Sequence, residues 1–145
     1  MESRAGAGTA DGGTLTDVAA RLLAGRRILV VDDGPADREL TVATLVLAGA
    51  EVAFGKDGLE GLALASSRDL DAIVLDIEMP RMNGVEMSRH LRQLGVRTRI
   101  FVLTSLRLCP EDPIRRNARF SQWLEKPLKG NLLVRALSLS GQCAS

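Results

Sequence analysis

The chain has 145 residues, 46% hydrophobic and 26% charged, with a formal net charge of +1. That length suits one domain with a real core, the mix is that of an ordinary globular protein, and a charge so near zero argues against bulk nucleic-acid or membrane-surface binding. Cys109 and Cys143 lie in no C-x-x-C pattern and have no histidine set beside them, which excludes a zinc site and reads as two free thiols in a reducing compartment.

Met1 to Gly13 is small, polar and Gly-rich. It has no apolar core region and so is no signal peptide. It offers too little apolar surface to offset its ordering entropy, so residues 1–13 are expected to be a disordered tail. Its glycines lack the Gly-Lys-Ser/Thr ending of a phosphate loop. Thr14-Leu15-Thr16-Asp17 fits a helix-capping signature, and Leu15, Val18, Ala19, Leu22 and Leu23 follow on one helical face. A helix over 14–25, closed by Gly25, is therefore expected. It is either packed on its own domain or left as a linker, or it is a docking or dimerisation helix.

From there the pattern alternates. Ile28-Leu29-Val30-Val31 is a continuous apolar run, the mark of a strand buried on both faces. Asp32-Asp33 ends it, and Gly34-Pro35 opens a helix with proline in its first turn. Leu40, Ala43, Thr44 and Leu47 are expected to form that helix's inner stripe. Val52-Ala53-Phe54 is a short second strand. Asp57 can cap a helix carrying Leu59, Leu62 and Ala63.

Ala72-Ile73-Val74-Leu75 is the third strand and delivers Asp76 to a loop stopped by Pro80 and Gly84. Asn83 caps a helix with Val85, Leu91 and Leu94. Ile100 to Leu103 is a fourth strand ending in Thr104-Ser105. Pro110 and Pro113 forbid a long helix after it, because each removes an amide donor. A short helix near Pro113 or a loop is expected there. Gln122-Trp123-Leu124-Glu125 is the fifth strand, followed by Lys126-Pro127 and a last helix with Leu128, Leu132, Leu133, Ala136 and Leu137.

Five strands alternating with helices imply an α/β fold with a parallel sheet covered on both faces. Right-handed crossovers leave few topologies. A flavodoxin-like doubly wound sheet of order 2-1-3-4-5 is expected, with an extra N-terminal helix and a main domain over 26–140. The longest apolar stretch, Val42 to Ala50, falls far short of the ~20 residues that span a bilayer. A cytoplasmic protein without a membrane partner is expected.

The C-terminal ends of parallel strands share one edge. That edge would gather Asp32, Asp33, Asp76, Thr104 and Lys126. Three carboxylates held together repel unless a cation sits among them. Oxygen-only donors point to a hard ion, and Mg²⁺ fits because it needs only one or two carboxylates beside water and phosphate oxygens. A carboxylate nucleophile can accept a phosphoryl group as an acyl phosphate. The ion, Lys126 and the Thr104 hydroxyl would then each hold one phosphoryl oxygen. Taken singly, each residue has a duller explanation: a helix cap, a turn, a solvated hydroxyl. Together at successive strand ends they are far more specific.

These residues carry a resemblance. Val30-Val31-Asp32-Asp33, Val74 to Gly84, Val102-Leu103-Thr104-Ser105 and Glu125-Lys126-Pro127 resemble the receiver domain of two-component response regulators and hybrid histidine kinases, in order and with near-typical spacing from about Arg26 to Leu139. The resemblance implies a signalling phosphoprotein that is no ordinary enzyme. It would take phosphate from a phosphohistidine, on a histidine kinase or histidine phosphotransfer protein, and slowly hydrolyse it. It further implies that Asp33 ligates Mg²⁺ directly, that Asp32 assists, often through water, and that the Glu78 carbonyl completes the shell. Asp76 is the phosphoacceptor, and Thr104 and Lys126 bind the phosphoryl group. Trp123, three residues before the lysine, would couple to Thr104 as the switch. The Lys126–Pro127 peptide would be cis.

Some residues depart from the family pattern. Glu78 and Leu106 would flank the path of attacking water, so a lengthened phosphoryl lifetime is expected. Arg119-Phe120-Ser121 replaces the usual small-residue turn, and Arg115, Arg116 and Arg119 form a basic cluster that is either a solvated face or a docking patch. The chain ends soon after the last helix, so action through a downstream protein partner is expected rather than through a DNA-binding domain, with homodimerisation left open. A phosphorylation-independent binding module of the same fold is the alternative. A haloacid-dehalogenase type of hydrolase would want Asp-x-Asp after its first strand, where this chain has Asp76-Ile77-Glu78 after its third.

Overall fold

The computed structural model describes residues 22–80, 82–106, 111–113 and 120–144, without the side chains of 140–144. The expected tail, most of the 14–25 helix, Cys109, the Cys143 side chain, Pro110 and the three clustered arginines lie outside the described residues.

Five strands are present: β1 Arg27–Val31, β2 Glu51–Gly55, β3 Ala72–Leu75, β4 Arg99–Thr104 and β5 Gln122–Glu125. The helices between and after them are α1 Pro35–Leu47, α2 Gly58–Ser67, α3 Gly84–Gln93 and α4 Gly130–Ala144. All strand pairs are parallel and the sheet order is β2-β1-β3-β4-β5. This is the expected doubly wound sheet.

Strand alternation sorts the apolar residues between two faces. Ile28 and Val30 of β1 join Val74, Phe101 and Leu103 against α1 and α4. Leu29 and Val31 join Ile73, Leu75 and Val102 against α2 and α3. Fully burying such side chains is worth about 1.5–3 kcal/mol each, and both faces of β1 and β3 are sealed this way. At the N-terminal end Leu23 is buried in the first cluster, its N–H donating to the Ala48 carbonyl at 2.9 Å. Gly25 takes φ +78°, the left-handed conformation that turns the chain into β1.

All four helix faces differ in part from expectation. On α1 the buried positions are Thr41 and Leu45, with Ala48 just beyond, while Leu40 is 54% and Leu47 75% exposed. The helix is apolar almost all round from Leu40 to Leu47, so periodicity does not select a face, and packing on the sheet decides it. On α2 the inward positions are Gly58, Gly61 and Ala65, with Leu59 half exposed and Ala63 exposed. The helix lies so close to β1 that a Cβ on Gly61 would come 2.7 Å from a Val31 methyl. On α3 Met87, Ser88 and Leu91 turn inward, Val85 is half-buried and Leu94 exposed. Its Asn83 cap forms as expected, in a reciprocal capping box with Glu86. On α4 Leu133, Ala136 and Leu137 are buried but Leu132 is half exposed, and Leu128 packs on the core from the turn before the helix.

Candidate functional site

Register places the acids. Val31 pairs with Leu75, so Asp32 and Asp76 emerge side by side from β1 and β3. The Asp76 N–H donates to the Val31 carbonyl at 3.0 Å, and the Asp32 N–H to the Gly55 carbonyl at 3.2 Å. Both side chains are buried, and Asp33 is exposed at the rim. One carboxylate oxygen from each of Asp32, Asp33 and Asp76 lies within 4.8 Å of the others.

Lys126 enters from the other side of the sheet centre. Its N–H donates to the Thr104 carbonyl at 2.8 Å, which fixes the residue after β5 against the end of β4. From there its Nζ donates to Asp32 Oδ2 at 2.9 Å, Asp37 Oδ2 at 2.9 Å and Asp76 Oδ2 at 3.1 Å. The remaining carboxylate oxygens are held by backbone amides: Gly34 N–H on Asp32 Oδ1 at 3.0 Å and Glu78 N–H on Asp76 Oδ1 at 3.1 Å. The Lys126–Pro127 peptide is cis.

Electrostatics follow from this crowding. Burial pushes the Asp32 carboxyl above its ordinary range, against the pull of the Gly34 amide and Lys126, and the charge of Asp76 adds to the rise. Burial would pull the Lys126 ammonium down, but its bonds to the three carboxylates outweigh that and raise it, so it carries its charge throughout the neutral range. The ammonium thus neutralises part of a cluster that burial alone would not tolerate.

Thr104 is fully buried at the end of β4, and its Oγ1 accepts from the Leu106 N–H at 3.2 Å. Trp123 pairs in register with Val102, so its side chain leaves the sheet on the same face as that of Thr104, two residues further along β4. The half-buried Trp123 ring packs at 6.0 Å and 56° to the Phe120 ring. Glu78 is exposed and its Oε1 lies 3.4 Å from the Ser105 hydroxyl across the rim.

The structure therefore brings together Asp32, Asp33, Asp76 and Lys126, with Thr104 and Trp123 on the adjoining strands. It adds Asp37, which the sequence reading missed. The available signal was its place in the first turn of α1, directly after the Asp32-Asp33 pair. Arg38 is a second addition: its Nη1 donates to the Asp32 carbonyl at 3.0 Å while its guanidinium lies 5.6 Å from the Phe54 ring centroid.

Three clustered hard oxygen donors, two buried and one at the rim, suit a small divalent cation such as Mg²⁺. Thiolate and imidazole ligands, which would suit zinc, are not part of the cluster. Chemically the arrangement offers a carboxylate flanked by a fixed ammonium and by acids able to hold a metal, the components of a phosphoryl-accepting site.

Comparison with known proteins gives a consistent result. Residues 28–138 match the profile of the response regulator receiver domain. The chain is 41% identical over 101 residues to the response regulator MprA of Mycobacterium sp. (strain KMS), covering 70% of this chain and 44% of that protein. It is 42% identical to MprA of Mycolicibacterium vanbaalenii over the same length. The chain thus spans less than half the length of these curated relatives.

Among solved structures, the receiver domain of a sensor histidine kinase from Pseudomonas aeruginosa, with a magnesium ion coordinated in its active-site cleft, aligns with TM-score 0.75 and 30% identity. The alignment covers 82% of this chain and 99% of that one. The chemotaxis response regulator CheY4 of Vibrio cholerae aligns with TM-score 0.73 and 32% identity, over 81% of this chain and 98% of the other. Among the described residues no helix is long and apolar enough to cross a membrane.

Proposed function

The chain belongs to the response regulator receiver domain family, and on that premise we propose that it is a phosphoacceptor whose Asp76 takes a phosphoryl group from a phosphohistidine. A carboxylate oxygen of Asp76 attacks phosphorus. The new O–P bond forms as the P–N bond to the donor imidazole breaks, and that bond's electron pair leaves with the ring nitrogen. Lys126 donates to one phosphoryl oxygen. The Thr104 hydroxyl, which accepts from the Leu106 amide, has its own proton to donate to another.

Asp33 would hold Mg²⁺ directly, with Asp32, Asp76 and the Glu78 carbonyl assisting. When bound, the ion supplies positive charge to the oxygens of the group being transferred. The donor is a histidine kinase or histidine phosphotransfer protein in the cytoplasm, and phosphorylation changes binding to a downstream protein or to a second copy of the chain. Trp123 is the residue through which Thr104 would report the change.

One observation carries this reading: Asp32, Asp33, Asp76 and Lys126, from three separate strand ends, converge on one point. Incubation with acetyl phosphate and Mg²⁺, followed by intact-mass measurement, tests it. The wild type should gain one phosphoryl group and Asp76→Asn none. A wild type that gains none, or an equal gain in the variant, overturns the assignment.

A further inference from the structure

We propose that Asp37 is a positioning residue for Lys126, one that competes with the incoming phosphoryl group for its ammonium. The inference rests on the phosphoacceptor reading above. An ammonium has three N–H donors, and Asp32, Asp37 and Asp76 take all three at 2.9, 2.9 and 3.1 Å. While Asp76 is still a carboxylate, an oxygen of the incoming phosphoryl group is a fourth acceptor, so one of these bonds must break before Lys126 can hold it.

The choice of bond follows from burial. The side chains of Asp32 and Asp76 are 5% and 7% exposed, whereas that of Asp37 is 56% exposed. Asp32 and Asp76 are also held by the Gly34 and Glu78 amides. Before the O–P bond forms, releasing Asp37 returns one carboxylate to water at little cost, while releasing either of the others strands a buried carboxylate charge. Asp37 stands outside the group of acids that could share a metal ion, so its carboxylate is not otherwise engaged by the reaction. It is a resting partner for Lys126, and its bond is the one given up on transfer.

An acid in the first turn of a helix is favourable for a duller reason, attraction to the exposed N–H groups there. That role alone would affect the stability of α1 and leave the transfer rate untouched, and the two roles are separable. The test follows phosphorylation of Asp76 by acetyl phosphate in Mg²⁺ for the wild type, Asp37→Asn, Asp37→Ala and Asp37→Glu, with thermal unfolding of each.

Asp37→Asn and Asp37→Ala should raise the maximal rate by about two- to fivefold, the range expected for an exposed ion pair. The gain should shrink at high ionic strength. Asp37→Glu, which keeps the charge, should stay near the wild-type rate. Phosphate on Asp76 in all four proteins at equal maximal rates overturns the inference alone, as does a gain confined to KM. Absence of phosphate on wild-type Asp76 overturns the phosphoacceptor reading and this inference with it.

Discussion

Gly84 presses on Asp76. A Cβ atom built on Gly84 would overlap the Asp76 carbonyl oxygen and the Leu75 side chain, and would lie 3.0 Å from Ile77 Cα. The Gly84 N–H closes the same turn by donating to the Ile77 carbonyl at 3.0 Å. What forbids a side chain here is close backbone approach, with no unusual dihedral involved. Gly84→Ala should therefore cost about 1–3 kcal/mol, read as a lower denaturant midpoint at unchanged m-value. The same displacement should slow phosphorylation at Asp76. Wild-type stability in the variant would show that the loop yields freely.

Lys126→Met removes the ammonium that three carboxylates share. Two of those are buried, so the metal-free variant should lose about 3 kcal/mol at neutral pH, and added Mg²⁺ should recover part of it by neutralising the same acids. The sign with pH follows from the raised folded-state pKa of Lys126. Its contribution is fully present below the lysine's ordinary value and is lost as pH rises through the folded one. Chemical denaturation along the alkaline arm should show the wild type falling toward the variant.

Asp32 gives the opposite dependence. Burial raises its carboxyl pKa, so the folded protein binds that proton more tightly than the unfolded chain does. Its contribution to metal-free stability is greatest in acid and is lost as pH rises through the raised value. Mg²⁺ needs the ionised form, so affinity should begin to fall on acidification at a pH above the ordinary carboxylate range. A Mg²⁺ titration at a series of pH values reads this directly. Affinity that holds constant down to that range would contradict it.

The strands were legible because β1 and β3 are apolar on both faces and end abruptly in acids, a pattern with few other readings. The edge that gathers Asp32, Asp33, Asp76 and Lys126 followed from parallel order alone. Helix faces were not legible where composition gave no contrast. Leu40 to Leu47 carries apolar residues on nearly every side, and the inward side of α2 is lined by Gly58, Gly61 and Ala65, whose value lies in being small. Asp37 escaped because its partner, Lys126, is 89 residues away.

Glu78 stands at the rim, exposed, with Ser105 beside its carboxylate at 3.4 Å. A carboxylate there would disfavour the approach of water to an acyl phosphate on Asp76, with the apolar, half-buried Leu106 side chain on the other flank. Glu78→Ala should shorten the phosphoryl lifetime by about threefold, the scale of one exposed charge. Decay of the phosphorylated species by intact mass, after removal of the donor, measures it. An unchanged decay rate would remove Glu78 from the account.

Trp123 is the chain's only tryptophan, and its ring sits between two influences. Phe120 packs on it at 6.0 Å, and Thr104 projects from the same sheet face on β4. Loss of the aromatic pair in Phe120→Leu should cost about 0.5–1.5 kcal/mol and shift Trp123 emission to the red, since the ring gains water where Phe120 was. Thr104 is buried and bonded to the Leu106 amide, so engaging a phosphoryl oxygen would pull on the β4 end and alter the packing beside the ring.

Acetyl phosphate in Mg²⁺ should then change the emission beyond the change produced by Mg²⁺ alone. Thr104→Ala should remove that additional component and keep the Mg²⁺ response, because the acids that could hold the metal follow other strands. Thr104→Ala that keeps the additional component while intact mass shows phosphate on Asp76 would disconnect Thr104 from Trp123. A wild type that is phosphorylated without any change in emission would show that the ring does not move with the site.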